Sequence, residues 1–203
     1  MEKVIKTKIL TSKDSEVIAN VHLESFPSFF LTSLGKNFLK MFYHAILLNP
    51  YGIGIGIYED EKLTGFAIGS IKENGFYLSL LKSNFFSLCY SALIPVLLNP
   101  LSVIRIFLNI FSYRDKRYVE SKNRSILLSI CVLPSVQNYK IGSRLLSDFE
   151  SIIRNNNGEL LCLTTEANNN EKANFFYVKN GYKCIDSYKS YPNRTMNEYI
   201  KKL

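Results

Sequence analysis

CVLPSVQNYKIGSRLL, residues 131–146, runs from an apolar stretch closed by Pro134, through a polar linker, into the start of a helical pattern. A strand that leads straight into a helix through a flexible loop leaves the bare amides of the first helical turn pointing back at the loop. Those amides have no intrahelical acceptor, and the helix dipole places partial positive charge on them, so such a junction suits an anion such as phosphate. The stretch preceding it, SILLSICVL (125–133), has the continuous apolar character of a buried strand. In KIGSRLLSDFESIIRNNNG, Ile141, Leu145, Phe149 and Ile152 fall on one helical face, and Asn157-Gly158 ends the helix.

The elements on either side extend this unit. ELLCLTTE (159–166) reads as a strand parallel to 125–133, because a helix lies between them. NNEKANFFYVKNG is a helix closed at Gly181, and YKCIDSYK and RTMNEYIKK are two further strands. Towards the N-terminus, KVIKTKIL is a strand, SEVIANVHLESF a short helix after the cap-type residues Thr11, Ser12 and Asp14, and SLGKNFLKMFYHAILLN an amphipathic helix. Residues 52–72 form a β-hairpin: YGIGIGIYED alternates with period two, EDEK is a charged turn, and LTGFAIGSIK is the return strand. The order is β-α-α-β-β, a helical insertion, then β-α-β-α-β-β.

The insertion occupies about 76–113 of a single domain spanning 1–203, and only Lys82 and Arg105 carry charge in it. Ser83 to Ile104 is uncharged and long enough to cross a bilayer, but serines and asparagines interrupt it and Pro95 and Pro100 break its second half. Two broken helices packed on the body or on a twin subunit, a contact with lipid, and a true span all remain open. The chain of 203 residues has ordinary globular composition, with 47% hydrophobic and 21% charged residues. Its net charge of +8 favours anionic partners without selecting one, and no Lys/Arg block marks a nucleic-acid arm. Cys89, Cys131, Cys162 and Cys184 each sit in apolar context with no Cys-x-x-Cys pair, which reads as buried reduced thiols. MEKVIKTKIL lacks the apolar core of a signal peptide, and the expected location is cytoplasmic. No metal-ligand spacing, P-loop or hydrolase elbow is present, and His22 and His44 read as surface or packing residues.

Two motifs resemble the GNAT superfamily of acyl-CoA-dependent N-acyltransferases. The first, Gln137-Asn138-Tyr139-Lys140-Ile141-Gly142, is similar to the family's Gln/Arg-x-x-Gly-x-Gly/Ala loop at Gln137 and Gly142. It departs at Lys140, where the family has glycine. Either Lys140 takes a conformation without positive φ and adds a cation beside phosphate, or the site is weakened. The second, NEKANFFYVKNGY, matches the pattern Asn-x-x-Ala-x-x-Phe-Tyr-x-x-x-Gly-Phe through Asn170, Ala173, Phe176, Tyr177, Gly181 and Tyr182.

The resemblance implies an α/β fold of mixed, mostly antiparallel central sheet with one splayed parallel strand pair, flanking helices and an insertion between the third and fourth strands. It implies acetyl-CoA as co-substrate and no metal. Cys131, Val132 and Leu133 would pair with the pantetheine arm through their backbones, with an N–H near Val132 polarising the thioester carbonyl. Gln137, Asn138, Tyr139, Lys140, Ile141, Gly142 and Ser143 would wrap the pyrophosphate. Asn170 and Ala173 would meet the pantetheine arm, and Tyr177 would protonate the leaving thiolate as general acid. The general base is left to Glu166 or Glu120.

The expected activity is direct acetyl transfer to a primary amine of a small-molecule acceptor. Similar chains with such an insertion serve surface-polysaccharide pathways, which suggests an amino sugar. The competing reading is an inactive acyl-CoA-binding or membrane-peripheral module of the same fold. Nucleic acid is not an expected partner, and a homodimer or peripheral membrane contact through 76–113 stays open.

Overall fold

The computed structural model describes residues 5–80, 123–137, 140–190 and 193–203. Its frame is a seven-stranded sheet in the order β1-β2-β3-β4-β5-β7-β6. The strands are β1 (Ile5–Ile9), β2 (Gly52–Glu59), β3 (Lys62–Ser70), β4 (Arg124–Val132), β5 (Leu160–Glu166), β6 (Lys183–Ser190) and β7 (Arg194–Lys202). Every neighbouring pair is antiparallel except β4 and β5. The helices are α1 (Ser15–Ser25), α2 (Phe30–Ser33), α3 (Gly35–Leu48), α4 (Ile141–Asn155) and α5 (Glu171–Lys179). The mixed sheet, the lone parallel pair and the flanking helices meet the expectation drawn from the two motifs. Of the insertion read at 76–113, residues 76–80 are helical and the remainder lies outside the described residues.

The hydrophobic periods place these elements. Ile55 and Ile57 of the alternating β2 are buried, and the glycines between them admit neighbours: a Cβ on Gly56 would lie 2.5 Å from Leu63 Cδ1. On α4, Ile141, Leu145, Leu146, Phe149 and Ile153 are buried in the main core. On α3, Phe38, Leu39, Tyr43, Ala45 and Ile46 are buried, with the Tyr43 ring edge-on to Phe66 of β3. Each such fully buried large side chain contributes about 1.5–3 kcal/mol of transfer free energy. Among the four cysteines, Cys131 and Cys162 are buried as the pattern suggests, and Cys89 lies outside the described residues. Cys184 corrects that reading: it is exposed on β6, an edge strand whose residues are half-buried or exposed.

The sheet opens at its centre. β4 and β5 pair only at Arg124–Leu160, Ser125–Leu161 and Ile126–Cys162. Beyond that step β4 stays with β3 as far as Val132, while β5 stays with β7 as far as Glu166. The cause is visible in the β3–β4 register. Gly69 partners Leu127 and Ile68 partners Ser129, so Leu128 is an extra residue on β4. A bulge bends its strand and raises the local twist, and here it falls immediately after the last pair with β5. The closed end is held by Arg124, whose guanidinium pairs with Glu73 and with Glu198 of β7 and approaches Cys162 Sγ at 3.4 Å.

The bulge needs a glycine opposite. A Cβ on Gly69 would lie 2.0 Å from Ile126 O and 2.9 Å from Phe149 Cζ, and the first of these is backbone that cannot step aside. Gly69→Ala is therefore expected to lower unfolding stability by about 2 kcal/mol or more, read by denaturant unfolding; a loss below a few tenths would show that the bulge does not depend on this contact.

Candidate active site

The opening between β4 and β5 exposes residues that a central strand would normally bury. Leu128, Ser129, Ile130 and Val132 on β4 are half-buried, as are Thr164, Thr165 and Glu166 on β5. Leu133 N–H donates to Thr64 O at 2.8 Å. Amides alternate in direction along a strand, so Cys131 and Leu133 turn their N–H groups to β3, whereas Ile130 and Val132 direct theirs to the opening. Of the β4 residues expected to offer backbone to a ligand, Val132 is so oriented and Leu133 has its amide committed. The Val132 carbonyl accepts from Gln137 Nε2 at 3.2 Å.

Pro134–Val136 forms a 3₁₀ turn that ends the pairing, and Asn138 and Tyr139 lie outside the described residues. Lys140 then stands at the N-cap of α4 with φ 59° and ψ 11°, in the left-handed region. This corrects the idea that lysine here avoids positive φ: it takes the backbone form that a glycine would adopt freely. Arg144 N–H reaches back to Lys140 O at 3.0 Å, which makes it the first amide of the helical ladder. The Ile141, Gly142 and Ser143 amides precede that ladder, the N-cap Lys140 makes no side-chain capping bond among the described residues, and the first turn carries no acidic residue. The turn is therefore an anion-attracting end.

Gly142 joins this turn to the rest of the site. A Cβ there would be 3.4 Å from Phe176 Cε2 and 4.0 Å from Val132 Cγ2. The start of α4, the end of β4 and helix α5 thus converge at one mouth. Further along α4 lies the buried Glu150. It accepts from Tyr182 Oη at 3.0 Å and from Lys201 Nζ of β7 at 2.7 Å, which ties α4 to the junction after α5.

On α5, Ala173 is partly buried against the core, and Gly181 has φ 87°, the left-handed C-terminal cap expected of it. Tyr177 is buried, with its ring against Phe176, Tyr182 and Tyr199 at centroid distances of 5.3, 5.9 and 5.7 Å. Burial, and then the neighbouring Tyr199, push its hydroxyl far above the usual tyrosine range, so it is protonated throughout neutral pH. Asn170 donates from Nδ2 to Thr165 Oγ1 at 2.7 Å and to Glu166 O at 3.2 Å. Its side chain thereby closes part of the open edge of β5.

Asn174 shares that task and was not singled out from the sequence. Its Nδ2 donates to Glu166 O at 2.9 Å, and its Oδ1 accepts from Tyr199 Oη at 2.8 Å and Asn197 Nδ2 at 3.0 Å. Its one sequence signal is the i, i+4 spacing from Asn170. Glu166, a candidate base, has its carboxylate on Arg194 Nε at 2.5 Å; Glu120 lies outside the described residues. Among the described residues, no group of three or more His, Cys, Asp or Glu side chains is arranged to hold a metal.

Comparison with known proteins follows the same lines. Residues 107–184 match the family profile described as an acetyltransferase (GNAT) domain. PaiA N-acetyltransferase from Thermoplasma acidophilum, solved in complex with coenzyme A, superposes with a TM-score of 0.56 at 17% identity over 98% of this chain and 99% of that one. The polyamine N-acetyltransferase of Drosophila melanogaster, which forms N-acetylagmatine, gives 0.65 at 10% identity over 98% and 100%. A GNAT-family acetyltransferase from Streptococcus pneumoniae gives 0.61 at 13% identity over 98% and 99%. At these identities the likeness establishes the GNAT fold. No curated protein matches the sequence.

Lys140 holds its left-handed conformation against a side-chain clash that glycine does not have. Lys140→Gly is expected to raise unfolding stability by about 0.5–1 kcal/mol after allowing for the freer unfolded chain. Equal or lower stability in denaturant melts would mean that the lysine side chain offsets the strain through contacts of its own.

Proposed function

We propose that this GNAT-fold chain is an acetyl-CoA-dependent N-acetyltransferase that passes acetyl directly to a primary amine of a small molecule. The carrying observation is the opened β4–β5 pair beside an uncapped, acid-free helix start at Ile141–Ser143. An extended pantetheine arm fits between strands that have lost each other as partners, and a pyrophosphate fits the amides at the mouth. A relative of this fold solved with coenzyme A supports the co-substrate, and one that acetylates agmatine supports the amine acceptor. The left-handed Lys140 takes the backbone form that a glycine at this position would take, which counts against an inactive module.

In this reading the residues divide the work. A β4 N–H near Val132, on the Ile130–Val132 edge that faces the opening, meets the thioester carbonyl oxygen as the amine nitrogen attacks its carbon. The new N–C bond forms, the C–S bond breaks and its electron pair leaves on sulfur. Tyr177 supplies the proton that sulfur takes up, and recovers one from solvent afterwards. The proton lost by the amine goes to water or to Glu166. Glu166 has to give up part of its ion pair with Arg194 to accept it, so water is the preferred acceptor. The finer assignment of an amino-sugar acceptor rests on the apolar composition of 76–113. Acetyl transfer from labelled acetyl-CoA to a panel of amino sugars, amino acids, polyamines and peptides tests it, and silence from every amino sugar removes it.

Two substitutions probe the halves of the site. Gly142→Asp adds a carboxylate where a Cβ meets only ordinary contacts, and negative charge at a helix start favours the helix itself. Its stability is expected to be unchanged or higher while acetyl-CoA affinity falls at least about tenfold by calorimetry, a gap of about 1.4 kcal/mol. Retained affinity would place the pyrophosphate elsewhere. Tyr177→Phe keeps the packed ring and removes the proton. Turnover is expected to fall about a hundredfold with acetyl-CoA affinity nearly intact, and undiminished turnover would take Tyr177 out of the chemistry.

A further inference from the structure

The two faces of the opened β4 segment differ. Val132 turns its side chain to α4, as its approach to Gly142 shows, and Ile130 shares that face by the period of two. Ser129, Cys131 and Leu133 therefore face the other side, where α1 and α3 pack. There Tyr43 Oη of α3 donates to Ser129 Oγ at 3.3 Å, and His22 Nδ1 of α1 lies 2.6 Å from the same Tyr43 oxygen. His22 is 3% exposed and Tyr43 is fully buried, whereas Ser129 is half-buried in the cleft. The other imidazole nitrogen, Nε2, is buried and has no partner among the described residues. A hydrogen-bonded line thus runs from the core through two helices and surfaces at one hydroxyl.

A buried line of this kind costs desolvation and persists where it fixes a group in place. Burial lowers the His22 imidazole to about 4, so it is neutral at physiological pH and its surroundings disfavour cations. Hydroxyl protons rotate. With Tyr43 Oη donating to it, Ser129 Oγ keeps a second lone pair for the cleft, which is what an amine N–H requires.

We propose that Ser129 receives an N–H of the acceptor amine on the face opposite the coenzyme loop, with Tyr43 and His22 as positioning residues that hold its hydroxyl there. This rests on the N-acetyltransferase reading. It places attack on the thioester from the α1/α3 side, and it accounts for a histidine–tyrosine pair that the sequence presents only as packing.

The test uses a probe that needs no knowledge of the natural acceptor: coenzyme A bearing a propyl-amide arm on sulfur, CoA–S–CH2–CO–NH–propyl, whose amide N–H stands where the amine nitrogen would be. Calorimetry compares it with coenzyme A on the full chain. Wild type is expected to bind the probe more tightly than coenzyme A. Ser129→Ala is expected to lose about tenfold in probe affinity, the worth of one hydrogen bond, with coenzyme A affinity unchanged. Ser129→Thr, which keeps a hydroxyl, restores it, and Tyr43→Phe shows a partial loss for the probe alone. Equal losses for probe and coenzyme A, or no loss for either, overturn the assignment of Ser129 while leaving the coenzyme reading standing. Failure of wild type to bind coenzyme A overturns that reading instead, and this one with it.

Discussion

A sheet that stops pairing in its middle has to do something with the backbone groups it releases. In this chain the parallel pair ends after Ile126 and Cys162, and the consequences organise the site. Buried amides and carbonyls without partners are costly. The β5 side is closed by side chains, since the Glu166 carbonyl accepts from both Asn170 and Asn174. On the β4 side the Val132 carbonyl takes the Gln137 amide. What is directed to the cleft and not covered in this way is the N–H edge of β4, which suits an extended arm carrying its own acceptors. In the proposed reading a pantetheine chain would act as a strand substitute and complete this hydrogen-bond ladder.

The opening would collapse without a fixed end. Arg124 anchors the closed end to Glu73 and to Glu198 of β7, so β4 is tied across β5 to the strand beyond it. Glu150 holds Tyr182 and Lys201, and Lys201 partners Leu161, which pairs with Ser125, so this second anchor ties α4 to the same closed end. Both anchors are buried charge clusters with several partners. Such groups are strongly destabilising when broken. The aromatic group of Phe176, Tyr177, Tyr182 and Tyr199 fills the space behind the wide end.

The strand and helix order was legible because the periods are strong: the Ile–Gly alternation of β2 and the apolar stripe of α4 leave little choice. The start of α4 at Ile141 was legible too, from a strand, a loop and a glycine-bearing helical pattern. Three features were not. The extra residue Leu128 sits inside SILLSICVL among similar apolar neighbours, so nothing local marks a bulge. The left-handed backbone at Lys140 carries no composition signal, since lysine rarely adopts it and the loop geometry imposes it. The His22–Tyr43–Ser129 line joins three segments far apart in sequence, and each residue alone reads as packing. Cys184 shows the converse error: an apolar neighbourhood in sequence became an exposed position because β6 is an edge strand.

Tyr177 raises the sharpest question about the chemistry. An ordinary thiol titrates near ~8.5 and an ordinary tyrosine near ~10, so a tyrosine already donates uphill to a free thiolate. Burial raises Tyr177 further, which at first weakens its case as the acid. But a thiolate released into the same apolar cleft suffers the same desolvation, and its conjugate acid rises as well. The gap between the two, not either value, sets the driving force. The packed rings of Phe176, Tyr182 and Tyr199 bury the Tyr177 hydroxyl, and in the proposed reaction they would also exclude water from a sulfur leaving beside it. The enclosure that holds the tyrosine proton would then also make the departing sulfur basic enough to take it.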